Sequence, residues 1–417
     1  MHAEQAYLFR HALLRDAAYS LQMPSARAKL HLLALRLLEE LLGGVAPQPP
    51  PLDAYTPRTL VPFSSDSAAM EMAYHAGKAK ERVSERLYLR RAAHFGEKSY
   101  QHMAAAEAWS KFAALVEGEE RVLAYCHAGG CCSDAGNMKL AEQSYAMAKS
   151  VAGEWHAAEA RADSGLAAIR WVTGRVDEAA AGFRQAAEKH RQYANHRELA
   201  HTLCNHSLLL QEQGDLDAAV ALAREAMALF ERLNAKGGVA HALLNVGVVS
   251  WAKEDLTSAE AAYKECLRLS RETGDRRTEG TALSNLAVLM QERRDFAQAE
   301  ELYQQSIQVH LEVGNRRFLG IAAHNLAALH FNTGQVETAE KELLAALALH
   351  REVQNQRWEA LALHALGAIA SDSGRQSVAK ELMEAARRTA IECGARDIQL
   401  LIHQEQKAHR SRDGVSH

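Results

Sequence analysis

The strongest constraint on the fold is a short helix-to-helix turn that recurs seven times at a nearly fixed spacing. Each copy carries an alanine at the same place, and the spacing between successive alanines is 38 residues once and 40 residues five times. The seven alanines are Ala141, Ala179, Ala219, Ala259, Ala299, Ala339 and Ala379. Self-similarity at such a period is typical of a repeat protein whose units pack only on their neighbours. The sequence therefore predicts a solenoid.

One whole unit, residues 276–314, shows what the repeat is made of. Apolar residues recur at helical spacing in two stretches, 278–291 and 296–309, which a short polar turn separates. We predict that Gly274 and Gly314 close their repeats as helix C-caps. Small residues at one position of the first helix should let the two helices approach closely, with the recurring alanine of the second helix opposite. These small residues are Gly247, Ala287, Ala327 and Gly367.

This small–large–small pattern resembles that of the tetratricopeptide (TPR) family across about two thirds of the chain. The 40-residue unit is longer than the common one, and the run GDRRTEGTALSNLAVL from Gly274 resembles the long-repeat class of kinesin light chain and the Leu-Gly-Asn repeat proteins. The resemblance implies an all-α fold, a right-handed α-solenoid of stacked helix pairs preceded by a small helical segment. It also implies a scaffold that binds other proteins and is not an enzyme.

Composition agrees with an interaction protein of this kind. The net charge of −4 argues against binding to a nucleic-acid backbone, which favours a basic surface. No apolar stretch is long enough to predict a membrane span, and no signal peptide is evident. The six cysteines lack metal or disulfide spacing and fit small buried residues in a reducing compartment. We therefore expect a cytoplasmic protein without cofactor or bound metal.

The first 42 residues differ from the repeats. They predict a helix to about residue 20, a break at Pro24, and a long amphipathic helix after it. The run FRHALLRDAAY from Phe9 resembles the C-terminal edge of the helical module that follows the nucleotide-binding domain in bacterial signalling ATPases of the STAND type. That resemblance implies an ATPase domain upstream in a larger regulator. The alternative is that these helices only cap the solenoid.

Composition also suggests the remaining boundaries. Residues 43–66 contain six of the seven prolines, which predicts an extended linker. We expect irregular capping helices over residues 67–116 and an array of about seven 40-residue repeats over residues 117–407. The polar residues 408–417 are expected to form a frayed tail.

Catalytic and metal-binding signatures are weak. The sequence contains no GxxxxGK[ST], GxSxG, HExxH or paired CxxC motif. Histidines recur at three repeat positions, in the pairs His201/His241, His324/His364 and His310/His350. Equivalent residues of adjacent repeats should lie about 10 Å apart, too far for both to bind one metal. A packing or surface role is the better interpretation.

The most specific candidate site lies on the first helices of successive repeats. An asparagine recurs four residues after a histidine, threonine or isoleucine position, and an arginine recurs four residues before it. This spacing places the three side chains on one helix face, so stacked repeats would form parallel ladders. The candidate peptide-binding residues are Arg197, Arg277, Arg317, Arg357, His201, His241, Asn205, Asn245, Asn285 and Asn325.

The chemistry of these residues fits a peptide ligand. An asparagine amide can both donate to and accept from a peptide group, and an arginine pairs with carboxylates, which favours an acidic partner. In TPR arrays the first helices line the concave groove, which is where these ladders are expected. The alternative is that the asparagines only bond a neighbouring helix and keep the repeats in register.

Two functions therefore stay open. The first is a non-enzymatic module that binds an extended peptide or protein segment in the groove. The second is the ligand-sensing arm of a larger STAND-type signalling or transcriptional regulator. The sequence identifies neither the ligand nor the oligomeric state.

Overall fold

The computed structural model describes residues 19, 22–53, 60–395 and 398–403. The run around Phe9 and the tail after residue 407 lie outside these residues. In the described part of the chain every regular element is helical, which confirms the predicted all-α fold. Contacts divide the chain into two compact units, one ending at Cys131 and the other beginning at Cys132. The boundary falls within helix α5 (Gly118–Asp134).

The first unit is a series of antiparallel helices in chain order. They are α1 (Pro24–Leu41), α2 (Ala69–Ala79), α3 (Arg82–Lys98) and α4 (His102–Ala113). Each packs on the next. Helix α1 begins at Pro24, where the missing N–H costs nothing because the first helical N–H groups have no partner within the helix.

The proline-rich stretch between α1 and α2 is held against α3. Its described residues form no α-helix before Ala69. The fully buried Arg91 donates to Oδ1 of Asp66 (2.6 Å) and to the carbonyl oxygens of Pro47 (2.8 Å) and Val61 (3.0 Å). Arg90 donates to the carbonyl of Pro50. A buried guanidinium needs such acceptors, so these bonds fix the stretch in place.

The second unit continues as helix pairs of nearly equal length. Its remaining helices are α6 (Met138–Ser150), α7 (His156–Val172), α8 (Val176–Gln192), α9 (His196–Glu212), α10 (Leu216–Arg232), α11 (Lys236–Ala252), α12 (Leu256–Thr273), α13 (Arg276–Glu292), α14 (Phe296–Glu312), α15 (Arg316–Asn332), α16 (Val336–Glu352), α17 (Gln356–Asp372) and α18 (Gln376–Glu392). From α7 to α18 they pack as successive pairs, and each pair packs on the next.

Local chemistry sets the helix ends. Asp215, Asp255 and Asp295 stand before the second helices, and each carboxylate accepts from a backbone N–H of the first turn. Gly274 and Gly314 adopt positive φ angles of 72° and 67° at the ends of α12 and α14, as predicted. This left-handed conformation is easily reached without a side chain, so it ends a helix sharply.

The small positions of the first helices also accommodate large side chains of the second helices. A Cβ on Gly247 would overlap the Tyr263 ring, and one on Gly367 would press on Met383. Each large residue stands four positions after the recurring alanine of its helix, Ala259 or Ala379, which is buried.

Within the second unit, the earliest turns lie against the latest ones. Gly136, between α5 and α6, is so close to the carbonyl of Val353, between α16 and α17, that a Cβ would overlap it. Gly174 likewise lies next to Gly394. The solenoid therefore winds until its ends meet.

Candidate functional site

The candidate site is the surface formed by the first helices of the repeats. From α7 to α15, each first helix contacts the first helix of the next pair. Equivalent positions consequently form rows along one surface. We call it the inner surface, because Asp134 at the end of α5 reaches Arg277 on α13 across it.

The four predicted asparagines are not equivalent in the structure. Asn205, Asn285 and Asn325 are partly exposed, whereas Asn245 is 2% exposed and its Nδ2 donates to the carbonyl of Cys204 at 3.0 Å. Asn285 lies beside Tyr263, whose pKa is raised by burial and moderated by a hydrogen bond with this asparagine. Asn245 and Asn285 thus each bond a group of the preceding repeat.

The two predicted histidines lie close together. The ring centroids of His201 and His241 are 6.2 Å apart, and His201 packs edge-on against Phe230 at 4.9 Å. Burial, together with the neighbouring His201, lowers the pKa of His241 to about 4, so its ring is neutral near pH 7. Across the described residues, no cluster of three or more histidine, cysteine or acidic side chains could hold a metal ion.

The predicted arginines lie in different surroundings along their row. Arg197 is partly exposed on α9. Arg277 donates to Asp134 at 3.4 Å, and its guanidinium lies 5.3 Å from the centre of the Phe318 ring. Arg317 and Arg357 line a common cavity. Burial lowers the pKa of Arg317, and the adjacent Arg277 lowers it further.

This cavity has a volume of about 830 Å³. Its wall includes residues from both ends of the solenoid, so it exists because the early and late turns meet. Arginines, aromatic rings and amides line it, among them Arg317, Arg357, Trp171, Trp358 and Gln354. A space of this size can hold a small molecule or several side chains of a peptide.

Buried histidines lie behind the arginine row. His190, His310 and His350 occupy one position of the second helices, and burial lowers the pKa of each to about 4. Gly280 and Gly320 leave room for the rings of His310 and His350. Among the described residues, both nitrogens of His190 and of His350 have no hydrogen-bond partner. These rings are therefore neutral packing groups.

Sequence analysis missed three residues of the site: Asp134, Trp171 and Trp358. The sequence did contain a signal for Trp171, because a second tryptophan, Trp251, stands two repeats later. Each of the two indole N–H groups donates to a glutamate 41 positions later, at 2.7 and 2.8 Å. Asp134 carried none, because its contact with Arg277 spans 143 positions and depends on how the solenoid winds.

Comparisons with known proteins identify the repeats. Residues 200–408 match the MalT-like TPR region, and residues 158–232 match the tetratricopeptide repeat. The predicted TPR repeats are thus confirmed. No curated protein sequence matches the chain significantly. Among the described helices, none combines the length and apolar character needed to cross a lipid bilayer.

Solved structures share the fold at low sequence identity. A Rap protein complexed with competence and sporulation factor is 13% identical with a TM-score of 0.61, and the match covers 89% of this chain and 98% of that one. The Rap conjugation gene regulator of plasmid pLS20, in complex with the Phr* peptide, is 15% identical with a TM-score of 0.56, over 67% of this chain and 77% of that one.

A third structure, a STAND protein with a tetratricopeptide repeat sensor from Pyrococcus horikoshii, is 13% identical with a TM-score of 0.48, over 83% of this chain and 56% of that one. The MalT-like match covers half of the chain and includes the helices that carry most of the inner surface. The chain therefore belongs to the family of MalT-like TPR regions.

Proposed function

We propose that the second unit binds an extended peptide or protein segment along its inner surface. Asn205, Asn285 and Asn325 would hold the backbone of the segment, because each amide offers a donor and an acceptor. The observation that carries this proposal is their shared, partly exposed position on successive first helices, next to the arginine row. Repeats of this family are in general interaction modules and not catalysts.

Two further observations support a peptide ligand. One of the Rap structures with this fold is a complex with a peptide. The arginine row also favours a segment that carries carboxylates, since Arg277 already donates to the carboxylate of Asp134. We infer that the partner is an acidic protein in the cytoplasm. We infer no nucleic-acid ligand, because the chain has a net charge of −4.

The test is capture of a partner from lysate of the source organism with the full chain. The site variant is Asn285→Ala with Asn325→Ala, and the matched control is Gln304→Ala with Gln308→Ala, two exposed amides of α14. We expect the wild type and the control to retain the partner and the site variant to lose it, with an unchanged melting curve. A partner held equally by all three proteins would contradict the proposal, as would unfolding of the site variant.

The second candidate function is the sensing arm of a larger STAND-type ATPase. It is favoured by an apolar stripe on α1, where Leu30, Leu33, Leu37 and Leu41 share one helix face and are 50%, 54%, 49% and 79% exposed. Exposed apolar stripes mark docking surfaces. A nucleotide-binding domain encoded in frame before Met1 would support this function, and an independent start at Met1 would contradict it.

A further inference from the structure

The arginine row contains one cation whose surroundings the repeats themselves do not explain. Arg317 lines the cavity where the early and late turns of the solenoid meet. Within the described residues its guanidinium has no hydrogen-bond or ion-pair partner, and the charged groups that act on it are a second cation, Arg277, and the carboxylate of Asp134. A partly buried guanidinium that lines a cavity without a hydrogen-bond partner suggests that an anion enters there.

The neighbouring side chains compensate this charge only in part. Arg351 donates to Glu359 at 2.8 Å, and Glu212 accepts from Trp171 at 2.7 Å, so both of these cavity carboxylates already have donors. Asp134 acts on both Arg277 and Arg317, but its hydrogen bonds, the shorter of them 3.4 Å, are with Arg277 and not with Arg317.

The geometry points to a carboxylate-binding site in this cavity, with Arg317 as its central donor. This site rests on the proposed function, because it lies on the same inner surface. It adds that the ligand must carry a carboxylate there. Arginine suits the role because its planar fork can donate two parallel hydrogen bonds to one carboxylate. Trp171 and Trp358 would contact the apolar part of the ligand.

Asp134 acts as an internal competitor in this arrangement. Its carboxylate lies near the paired arginines and partly neutralises them when no ligand is bound. A ligand carboxylate would have to add to, or displace, that interaction. Removing the charge of Asp134 should therefore strengthen binding of an external carboxylate.

Isothermal titration calorimetry of the full chain, in a chloride-free buffer of low ionic strength, tests the site. The two probes are glutarate and a tetraglutamate peptide blocked at both ends, each titrated to about 5 mM, the range of weak binding. Binding of glutarate would identify a free organic acid as sufficient, and binding of the peptide alone would identify an acidic segment as the source of the carboxylate.

Arg317→Gln is the test variant and Arg316→Gln its matched control. Arg316 is the preceding residue, and it pairs with Glu352 at 2.5 Å. We expect binding to weaken about tenfold or more in Arg317→Gln, because a charge-assisted bidentate pair is lost, and to stay unchanged in Arg316→Gln. Should Arg317→Gln fail to fold, Arg317→Lys keeps the charge without the fork and should still weaken binding.

Asp134→Asn should tighten binding of whichever probe binds, about threefold, by removing the competing charge. The proposal is overturned if neither probe binds the wild type, or if the two arginine variants bind equally well. These titrations need no natural partner. The two proposals can therefore fail separately. If Arg317→Gln loses probe binding but the lysate experiment captures no protein, only the peptide-binding function is contradicted. If a protein is captured but neither probe binds, only the carboxylate site is contradicted.

Discussion

Adjacent arginines at the start of α13 and α15 lie in opposite environments. Arg276 pairs at 2.5 Å with both Glu279 and Glu312, and Arg316 pairs at 2.5 Å with Glu352. The next residue in each helix, Arg277 or Arg317, turns to the inner surface. There, Arg277 pairs with the distant carboxylate of Asp134, whereas Arg317, within the described residues, makes no hydrogen bond or ion pair.

Comparing these arginines shows which ion pairs are duplicated together with the repeat. An outer arginine finds its glutamate 36 positions later, within the same repeat, so each copy of the repeat also copies the pair. Within the described residues, Arg277 and Arg317 have no such partner in their own repeats. Arg277 takes one from a distant turn, Asp134. These two positions are therefore where the inner surface is open to a ligand carboxylate.

The largest expected effect is a loss of stability at acid pH, which should arise from the buried histidines behind the arginine row. His310 lies beside Arg277 and His350 beside Arg317, and burial followed by these cations lowers the pKa of each ring from 6.5 to about 4. His190 is shifted as far, mainly by burial. Between these pH values the unfolded chain binds more protons, so the free energy of unfolding falls as pH falls from about 6.5 to 4. Each ring can contribute about 3 kcal/mol to this loss.

Urea unfolding followed by circular dichroism at several pH values between 7 and 4 measures this slope. Replacing His310 with glutamine should flatten the pH dependence, because the variant has no ring to protonate. Replacement of the exposed Gln304 of the same helix with alanine is the control and should leave the slope unchanged, because it removes no titratable group. A stability that is constant across this pH window would show that the buried histidines do not resist protonation.

The next effect concerns the contact that closes the second unit. Gly136 has a φ of 82° and lies against the Val353 carbonyl, whereas Gly214 has a φ of 85° and no other group within 4 Å. An alanine at either position costs about 1 kcal/mol for the left-handed conformation. Gly136→Ala should cost about 2 kcal/mol more, because the new methyl group overlaps the carbonyl and forces the turns apart.

Thermal unfolding compares the stability of the two variants, and small-angle scattering shows whether the second unit opens. Equal melting temperatures for Gly136→Ala and Gly214→Ala would mean that the turns of residues 136 and 353 are apart in solution. The inner surface would then be an open groove, and the cavity lined by Arg317 would not be enclosed.

The regular parts of this molecule were predictable from its sequence, since they depend on local pattern. Helix pairs, buried alanines and the caps at Gly274 and Gly314 follow from hydrophobic spacing and turn chemistry within about 40 residues. These features need no knowledge of how the solenoid winds.

The candidate site was predictable only in part. The ladder positions follow from the repeat, but identical residues at identical positions differ in the structure, as the buried Asn245 and the partly exposed Asn285 show. The cavity and the contact of Asp134 with Arg277 exist because distant turns of the solenoid come together. How far the solenoid winds is the sum of small rotations between successive repeats, which the repeat pattern does not encode.

The smallest expected effect is also the most direct test of the opening comparison. Arg316→Met should lower the free energy of unfolding by about 0.5 kcal/mol or less, because an exposed ion pair contributes little. Arg317→Met should raise it by about 1 kcal/mol, because the variant removes a partly buried cation that Arg277 repels and retains most of its apolar volume. Urea titrations of both variants beside the wild type measure the difference. If Arg317→Met were the less stable of the two, Arg317 would have a structural role within the repeats, and its place in the cavity would no longer indicate a ligand.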